Sequence, residues 1–449
     1  MKTQVLHIGF DDIDNPEGGC TTHFASIMID KMNELGVEWM DFPNLIRLNP
    51  NIPFRTRGNG AIAFRIMTDS EPKELLKMFM KEALSYARTD YQNTNPGIAI
   101  VPDPIPGLLH QIARDALWRF VPTTYINRIL HGYDWQIMKV GSGRGLIGAL
   151  AAIGNTLLGD HTYELVTYRS LDDAKESRDV NTESVIAMDE KFSKLTFANI
   201  DYDTGQILIE PHGPDPVLFG LRGENPDVLK EASNYIVAKQ SVRRWTIFRT
   251  NQGTGVHLQN QLLIKDLRPY QAATVKCTVR ESPKIIEGGH LIFSVFDDTG
   301  SIECAVYEPT GGFRDIIKKL IPNDIVLLHA GVRPASRTHD RTLNIEGIEI
   351  VKLATKRSYS NPLCPKCGKR LKSAGRNKGY KCTKCGFKSS ELEKIQTLEE
   401  RTLAPKLYLP PPRAQRHLTR PYSRINHDNS DREIPLASEW HSNQLKEEK

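Results

Sequence analysis

The sequence predicts an α+β protein of several domains, with an OB-fold β-barrel and a zinc ribbon in its C-terminal half. Three observations support this class. The chain has 449 residues, which is more than one hydrophobic core usually holds. Strand-like and helix-like segments alternate over residues 1–260. Two Cys-x2-Cys pairs then follow a run of strand-like segments.

Composition narrows the protein class. Hydrophobic residues make up 39% of the chain, as in ordinary globular proteins. No apolar run of about 18 residues is present, so we expect no membrane span. The start, MKTQVLHIGFDD, turns acidic before any signal-like apolar region, which favours the cytoplasm. The seven cysteines are not spaced as a disulfide framework.

Charge is distributed unevenly along the chain. Residues 356–449 hold 21 of the 59 Lys and Arg but 10 of the 54 Asp and Glu, so this region carries +11 and the remainder −6. A basic C-terminal region on a mildly acidic body indicates a polyanionic partner. The alternative is a charged tail that only contacts solvent.

The first 260 residues predict interleaved strands and helices. Residues 3–10 predict a strand and residues 22–35 a helix, with Phe24, Met28 and Leu35 near helical spacing. Further strands are predicted in NLIRLNP and AIAFRI, and further helices in SEPKELLKMFMKEALSYA, GLIGALAAIGNTLL and PDVLKEASNYI. This interleaving permits two domains within one stretch of sequence.

Residues 263–355 have the strand order of an OB fold. Three predicted strands, with turns at 288–289 and 298–300, precede the short helix FRDIIKKL, and two more strands follow. Another small β-barrel is the alternative. Residues 393–449 contain Pro410-Pro411-Pro412 and little periodicity, so we expect most of this tail to be flexible.

The two cysteine pairs predict a zinc site. Cys364-x2-Cys367 and Cys382-x2-Cys385 are 14 residues apart, a spacing that lets four thiolates surround one Zn²⁺. Four cysteines leave no open position, so the zinc is structural. A redox dithiol pair is the alternative. Lys and Arg surround the cysteines, and together with the barrel they predict a nucleic-acid-binding surface.

The stretch GFDDIDNPEGGCTT is the first candidate for catalysis. Asp11, Asp12 and Asp14 follow the first strand, and carboxylates are typical ligands of a Mg²⁺ ion that also binds ATP phosphates. Gly18-Gly19 permits close approach of the backbone, and Thr21 and Thr22 stand where a helix begins, a position that favours anions. The alternative is a set of ordinary turn and capping residues.

A second glycine-rich stretch, GSGRGLIGALAAIG, has a similar form. Gly141, Gly143 and Gly145 precede a predicted helix, and Arg144 adds a positive charge. The stretch matches neither the P-loop nor the dinucleotide-binding pattern. A tight turn without a ligand is therefore the alternative to phosphate binding.

Two further loops carry charged side chains. RTRGNG places Arg55 and Arg57 beside a flexible turn, and a solvated hairpin is the alternative. HGPDPVLFGLRGE contains Asp215 and Glu224, which are candidates to bind a cationic ligand. A purely structural loop explains the second stretch equally well.

Taken in order, these segments resemble one family, the archaeal tRNA(Ile) 2-agmatinylcytidine synthetases. The resemblance covers roughly residues 5–390, and its ordered combination is far more specific than any single motif. It rests on GFDDIDNPEGGCTT, RTRGNGA, NPG at 95–97, GRGLIGALAAIG, GPDPVLFGLRGE, RTNQGT, the barrel region and the cysteine pairs.

The resemblance implies an activity. Members of the family join agmatine to C2 of the wobble cytidine in the CAU anticodon of the AUA-decoding isoleucine tRNA, and they convert ATP to AMP and phosphate. The implied cofactors are ATP, Mg²⁺ and structural Zn²⁺, and the implied partners are this tRNA and agmatine. No protein partner is predicted.

The resemblance also implies an architecture, in which a kinase-like domain is interleaved with a ferredoxin-like domain. The predicted boundaries are 1–60 and 135–200 for the kinase-like domain, 61–134 and 201–262 for the ferredoxin-like domain, 263–355 for the OB fold, 356–392 for the zinc ribbon and 393–449 for the tail.

The resemblance also implies roles for single residues, at positions that match the motifs of the family. The family's autophosphorylated threonine corresponds to Thr21, and its metal-binding aspartates correspond to Asp11, Asp12 and Asp14. Ile13 stands where many members are expected to have Thr. A guanidinium such as that of agmatine pairs well with a carboxylate, for which Asp215 and Glu224 are candidates.

Two other functions remain as alternatives at this point. A non-catalytic OB-fold and zinc-ribbon protein would account for residues 263–390 but not for the aspartates. A different ATP-dependent RNA-modifying or small-molecule kinase would share the same scaffold.

Overall fold

The N-terminal half is built on one large sheet. The computed structural model describes residues 3–15, 18–87, 89–91, 94–337, 339–430, 432 and 435–442, without the side chains of 174 and 175. The strands described in this half are β1 (Gln4–Asp11), β2 (Glu38–Trp39), β3 (Asn44–Arg47), β4 (Gly60–Thr68), β5 (Gly97–Pro102), β6 (Gln136–Lys139), β7 (Thr162–Tyr168), β8 (Thr196–Phe197), β9 (Ile200–Asp201), β10 (Gln206–Ile207), β11 (Val217–Gly223) and β12 (Arg244–Thr250).

The strand order joins two halves of this sheet. It runs β6-β5-β1-β4-β3-β12-β7-β11-β8, with β2 beside β4 and with β9 and β10 in a separate hairpin. The described pairs in the large sheet are antiparallel except β3 with β12, which run parallel. Strands from residues 1–60 and 61–134, which are predicted to belong to different domains, are neighbours in this sheet. The interleaved division of residues 1–262 into two domains stays a prediction.

Helices cover both faces of the sheet. They are α1 (Thr21–Glu34), α2 (Pro72–Tyr86), α3 (Gly107–Trp118), α4 (Thr123–Leu130), α5 (Gly145–Gly154), α6 (Thr182–Phe192) and α7 (Pro226–Ser233). Leu6, Ile8 and Phe10 alternate along β1 toward α1 and α2. On the opposite face a Cβ at Gly9 would overlap Ala149 of α5, so β1 lies directly against that helix. This packing fixes the end of β1, where the aspartates begin.

The predicted OB-fold order is confirmed. The barrel contains β13 (Ala272–Val279), β14 (Lys284–Ile285), β15 (Leu291–Asp297), β16 (Gly300–Val306), α8 (Gly312–Ile317), β17 (Ile325–Arg333) and β18 (Thr342–Lys352). β13 pairs with both β15 and β17, which closes the barrel, and α8 lies between the third long strand and the last two. None of the described helices is long and apolar enough to cross a membrane.

The C-terminal region is the main difference from the expectation. Its strands are β19 (Lys356–Ser360), β20 (Lys372–Ser373), β21 (Tyr380–Lys381), β22 (Lys388–Ser389), β23 (Ile395–Glu399) and β24 (Leu407–Tyr408). β23 pairs with β19, and β24 pairs with β18 of the barrel. The backbone oxygen of His417 then accepts a hydrogen bond of 2.9 Å from the amide of Gly253.

The expectation of a mostly flexible tail therefore does not match the described residues. Arg424 is 1% exposed and Trp440 is 5% exposed, and both contact the large sheet. The tail is ordered by individual charged and aromatic side chains that fit distant sites, and such contacts leave no periodic pattern in sequence. Residues 443–449 lie outside the described part of the chain.

Candidate active site

The three predicted aspartates lie on the turn that leaves β1. Asp11 ends the strand and pairs with Gly97, and Asp12 has a φ of 60°. The amide of Asp12 donates a 2.7 Å hydrogen bond to Oδ1 of Asp11. Asp14 is buried, and its Oδ1 accepts hydrogen bonds from the hydroxyls of Thr56 (2.9 Å) and Thr21 (3.4 Å).

The turn concentrates negative charge away from water. Burial, followed by the charge of Asp12, raises the pKa of Asp11 well above its usual range. Burial and the charge of Asp14 raise the pKa of Asp12 to about 6. Asp11 and Asp12 thus repel each other in a desolvated place, and a bound divalent cation would relieve that repulsion. These oxygen donors fit Mg²⁺.

The turn leads directly to the N-terminus of α1. Gly18 and Asn15 exchange backbone hydrogen bonds of 3.1 and 3.4 Å, and Gly19 has a φ of +67°. Thr21 is the first residue of the helix, which has no side-chain cap and no acidic residue in its first turn. The first amides of α1 are therefore available to an anion.

The second glycine-rich stretch packs against the aspartates. The amide and side chain of Asn95 donate to Oδ2 of Asp12 over 3.1 and 3.4 Å, and Oδ1 of Asn95 accepts from the amide of Ser142 over 2.8 Å. A Cβ at Gly148 would overlap the carboxylate of Asp11. Glycine is thus required where α5 meets the aspartates, and the two stretches form one site.

A cavity of about 300 Å³, here called the aspartate cavity, opens beside this site. One wall is apolar and aromatic, while Asp11, Asp12, Arg55, Arg144 and the loop 142–145 form the polar end. The guanidinium of Arg144 lies 4.6 Å from the ring centroid of Phe54. An apolar wall with a charged end suits a nucleotide, whose base is flat and whose phosphates are anionic.

Arg57 connects this site to a second cavity. Its Nε lies 3.7 Å from Asp14 and its Nη1 lies 2.9 Å from Asp215. The second cavity, here called the central cavity, has a volume of about 520 Å³. Its walls include Cys20 and Thr22 from α1, Glu164, Glu210, Asp215 and Arg222 from the β7–β11 side, and residues 412–421 of the tail.

The two carboxylates predicted to bind agmatine are already paired. Asp215 is 5% exposed and lies 3.0 Å from Arg178 as well as 2.9 Å from Arg57. Glu224 is 7% exposed and accepts hydrogen bonds from Arg424 and Asn429. Glu224 is not among the residues that line either cavity.

The four predicted zinc ligands lie together. Their Sγ atoms are all within 4.8 Å of one another, with Cys364 and Cys385 at 3.4 Å and Cys367 and Cys382 at 3.5 Å. Tetrahedral Zn²⁺ with bonds of about 2.3 Å places its sulfurs about 3.8 Å apart. Gly368 and Gly386 have φ values of 69° and 75°, which the knuckle turns require. The cysteines therefore fit one zinc ion.

Known proteins match this architecture over its whole length. Family models described as the TiaS TCKD domain, the TiaS FLD domain and the TiaS C-terminal zinc ribbon domain match residues 7–142, 143–257 and 361–403. A curated relative from Staphylothermus marinus, the 2-agmatinylcytidine synthetase TiaS of an isoleucine tRNA, is 41% identical and covers 99% of this chain and 100% of its own. The chain belongs to the TiaS family.

Further TiaS proteins agree. The TiaS of Pyrococcus horikoshii is 40% identical over 93% of this chain and 96% of its own. The crystal structure of a TiaS complex with its isoleucine tRNA and ATP has a TM-score of 0.85 at 34% identity, and that of a TiaS complex with this tRNA, AMPCPP and agmatine has 0.83 at 32%. Both comparisons cover 94% of this chain and 98% of the other.

Several residues at this TiaS site were not predicted. Thr56 and Asn95 stand inside motifs that the sequence analysis quoted, RTRGNG and NPG, but only the structure shows that they hold Asp14 and Asp12. Glu164 binds Arg47 and Arg222, which come from strands far apart in sequence. No local pattern indicates the partners of these three residues, because each contact joins segments that are far apart in the chain.

Proposed function

We propose that this chain is an ATP-dependent ligase that attaches agmatine to C2 of the wobble cytidine in the CAU anticodon of the AUA-decoding isoleucine tRNA. The product is 2-agmatinylcytidine, and ATP and one water yield AMP and two phosphates: one phosphoryl group passes to the C2 oxygen and leaves with it, and the second is lost to water. The observation that carries the proposal is that Asp11 and Asp12 line one cavity together with Ser142, Arg144 and Gly145, in a chain of the TiaS family. Asp14 lies on the same turn and accepts a hydrogen bond from Thr21, the first residue of α1. A cytoplasmic location follows from the tRNA substrate.

The chemistry explains why a phosphoryl-transfer centre is needed. The C2 carbonyl of cytosine is urea-like, and its oxygen is a poor leaving group. Transfer of a phosphoryl group from ATP to that oxygen allows the amine of agmatine to attack C2. The C2–oxygen bond then breaks, the oxygen leaves as part of phosphate, and the amine loses its proton.

Mg²⁺ is the proposed metal of this centre. Asp11, Asp12 and Asp14 supply the oxygen donors, and the raised pKa of Asp12, about 6, reflects charge that a cation would balance. When bound, the ion would neutralise charge on the phosphates. The chain itself contributes the amides of α1, the loop at Gly18 and Gly19, and the side chains of Arg55 and Arg144 on the aspartate cavity.

Thr21 is the proposed site of autophosphorylation. Its hydroxyl donates to Asp14 across 3.4 Å, and it lies at the N-terminus of α1, where a phosphate group is stabilised by amides and by the helix dipole. Thr22 differs, because its hydroxyl lies 3.0 Å from the sulfur of Cys20.

The central cavity is the proposed place for agmatine. Asp215 and Glu224 remain candidates, but their carboxylates are engaged by arginines of the chain. Glu210 also lines this cavity, and no hydrogen bond or ion pair of its side chain occurs within the described residues. It is therefore the carboxylate best able to take a new guanidinium partner.

The barrel and the zinc ribbon are the proposed contact surface for the tRNA. The ribbon carries many lysines, and Lys366 lies 5.9 Å from the ring centroid of Phe387. Such surfaces contact the phosphate backbone and leave the unpaired anticodon base free to enter a pocket. A binding protein without catalysis would leave the aspartates unexplained.

The test is a reconstituted modification assay. Purified protein is incubated with ATP, Mg²⁺, agmatine and the CAU-anticodon tRNA, and the wobble nucleoside is analysed by mass spectrometry. We expect a mass increase that requires both ATP and agmatine. With ¹⁸O at C2 of the wobble cytidine, the label should appear in released phosphate.

A matched control uses the same tRNA with U in place of the wobble C, which should give no product. A screen of other amines separates agmatine from related substrates. Folded protein that binds the tRNA but forms no adduct, and consumes no ATP in response to agmatine, would overturn the proposal.

A further inference from the structure

A third cavity lies between the aspartate cavity and the central cavity. It has a volume of about 200 Å³, and we call it the arginine cavity. It shares Arg55 with the aspartate cavity. Its other basic residues, Arg47, Arg57, Arg416 and His417, also line the central cavity. No acidic side chain lines it among the described residues.

Two of its four arginines are paired with carboxylates elsewhere. Arg47 lies 3.3 Å from Glu164, and Arg57 contacts Asp14 and Asp215. Nε of Arg47 is buried and has no hydrogen-bond acceptor in the described part of the protein. This N–H is closed to solvent, so Arg47 acts on the cavity through its charge.

The other two arginines carry charge without a direct partner. Arg55 donates from Nη1 to the backbone oxygen of Ile52 across 3.1 Å, and neither Arg55 nor Arg416 forms an ion pair within the described ranges. Burial and the positive charge of Arg416 lower the pKa of Arg55. The negative charge of Glu346 partly offsets this lowering of the Arg55 pKa. The ion-pair partner of Glu346 is His257, at 3.1 Å, and not Arg55.

His417 lies beside Arg47 and Gly58 in the wall of the arginine cavity. A Cβ at Gly58 would lie 2.5 Å from Nη1 of Arg47 and 2.9 Å from the ring of His417, so glycine is needed for the three to meet. The side chain of His417 is exposed where it lines the arginine and central cavities, and the positive charges of Arg47, Arg222 and Arg416 lower its pKa. Its neutral ring retains one N–H donor.

We propose that the arginine cavity is a phosphate-binding site separate from the aspartates, with Arg55 and Arg416 as its donors. A tetrahedral oxyanion is the ligand class that several convergent guanidinium groups recognise. The tail completes the site, because Arg416 and His417 belong to it. The inference rests on the proposed function for its two sources of phosphate, the tRNA backbone beside the wobble nucleotide and the phosphates of ATP.

The test compares Arg55→Gln and Arg416→Gln with Arg114→Gln, which changes an exposed arginine on α3 that lines none of the three cavities. Binding of the CAU tRNA is measured against salt concentration, and binding of a non-hydrolysable ATP analogue is measured by calorimetry. Protection from heat by inorganic phosphate is measured on each protein without either substrate.

The two sources give different results. If the ligand is an RNA phosphate, each cavity variant weakens tRNA binding several-fold and reduces the salt slope by about one, and Arg416→Gln, which lies outside the aspartate cavity, leaves affinity for the ATP analogue unchanged. If the ligand is a nucleotide phosphate, affinity for the analogue falls and the salt slope stays the same. In both cases inorganic phosphate protects the wild type and Arg114→Gln more than the cavity variants.

The phosphate experiment keeps the inference separate from the proposed function. If the wild type binds neither tRNA nor ATP, the proposed function is wrong. Protection from heat by inorganic phosphate still tests the arginine cavity, because that measurement uses neither substrate. If phosphate protects all four proteins equally and both substrates bind the cavity variants as they bind the wild type, the cavity is no phosphate site. Arg416→Lys, which retains the charge, should recover part of the lost binding and rules out simple misfolding.

Discussion

Nη1 of Arg57 lies 2.9 Å from Oδ2 of Asp215, while its Nε lies 3.7 Å from Asp14. One side chain therefore connects the loop after β1 with the loop before β11, which come from the two halves of the sheet. The carboxylate that accepts from Thr21 is held by the same guanidinium that borders the central cavity. The proposed phosphoryl-transfer centre and the proposed agmatine cavity thus share the side chain of Arg57.

Replacement of Asp12 by Asn should remove phosphoryl transfer. The amide keeps the shape but not the charge that a divalent cation needs, so we expect turnover of ATP to fall by about 100-fold or more. Agmatine-dependent release of AMP measures this. Asp134→Asn, at an exposed position with no described ion pair, is the control. If Asp12→Asn and Asp134→Asn were equally active, Asp12 would not be a catalytic residue.

Replacement of Thr21 by Ala should abolish phosphate attached to the protein. The hydroxyl of Thr21 is the one that donates to Asp14, and Thr21→Ser should restore labelling. Incubation with γ-labelled ATP, followed by mass spectrometry of the peptide around α1, measures the modification. Thr22→Ala is the matched control and should keep the label. Label that persists on Thr21→Ala would move the modified residue elsewhere.

Replacement of Arg424 by Met should release the tail. The Arg424 side chain is buried and contacts Glu224 and Asp160, so its loss removes the cation that these two carboxylates share, at a cost of about 3 kcal/mol. Within the described residues, Asp160 then keeps only Arg420 as an ion-pair partner, and Glu224 keeps Asn429 and His427. We expect a lower thermal unfolding midpoint and faster proteolysis of residues 400–430. Lys394→Met, at an exposed position on the same tail with no ion pair among the described residues, should change neither. An equally protected tail in both variants would contradict this prediction.

The stabilising effect of Glu164 should depend on pH. Burial alone would raise the pKa of Glu164, but Arg222, Arg47 and a hydrogen bond from Gln252 together hold it below its ordinary value of 4.5. A carboxyl with a lowered folded pKa stabilises the fold above its unfolded pKa, and that contribution disappears as pH falls through the folded value.

Glu164→Gln should therefore lower the thermal unfolding midpoint most at pH 7, and the difference from the wild type should shrink below about pH 4. Glu303→Gln, at an exposed position on the barrel, is the control and should differ little from the wild type at any pH. A constant difference between Glu164→Gln and the wild type across this range would mean that the carboxylate charge contributes nothing.

Removal of zinc should weaken tRNA binding and spare ATP binding. The four cysteines organise the ribbon, and no ribbon residue lines the aspartate cavity within the described residues. Elemental analysis should find one zinc per chain, and a chelator should lower tRNA affinity until Zn²⁺ is restored. Added Mg²⁺ should not substitute. Loss of ATP binding on chelation would show that the ribbon supports the nucleotide site.

Local sequence was sufficient for the parts of the site that a short segment builds alone. The cysteine knuckles, the order of strands in the barrel and the succession β1, aspartates, glycines, α1 all follow from the spacing of residues near one another in the chain. Sequence did not reveal how Arg47 meets Glu164, because that contact depends on the order of β3, β12 and β7 in the sheet. Pairing across a sheet is selected by the whole core and leaves no local pattern.

The tail shows the same limit more sharply. Its composition indicates flexibility, yet the guanidinium of Arg424 donates hydrogen bonds to the carboxylates of both Asp160 and Glu224. The information that orders the tail is therefore carried by residues 200 and 264 positions earlier in the chain. Residues 393–449 taken alone therefore do not indicate that the tail is ordered.

The return of the tail to the sheet has a consequence for biosynthesis. Translation produces Glu224 200 residues before Arg424, so the nascent protein exposes an unmatched acidic patch while the barrel and ribbon are being made. The arginine cavity also lacks Arg416 and His417 throughout that period. A ribosome that stalls after the zinc ribbon would release a product that contains Asp11, Asp12, Asp14 and all seven cysteines but lacks one wall of the proposed substrate-binding region.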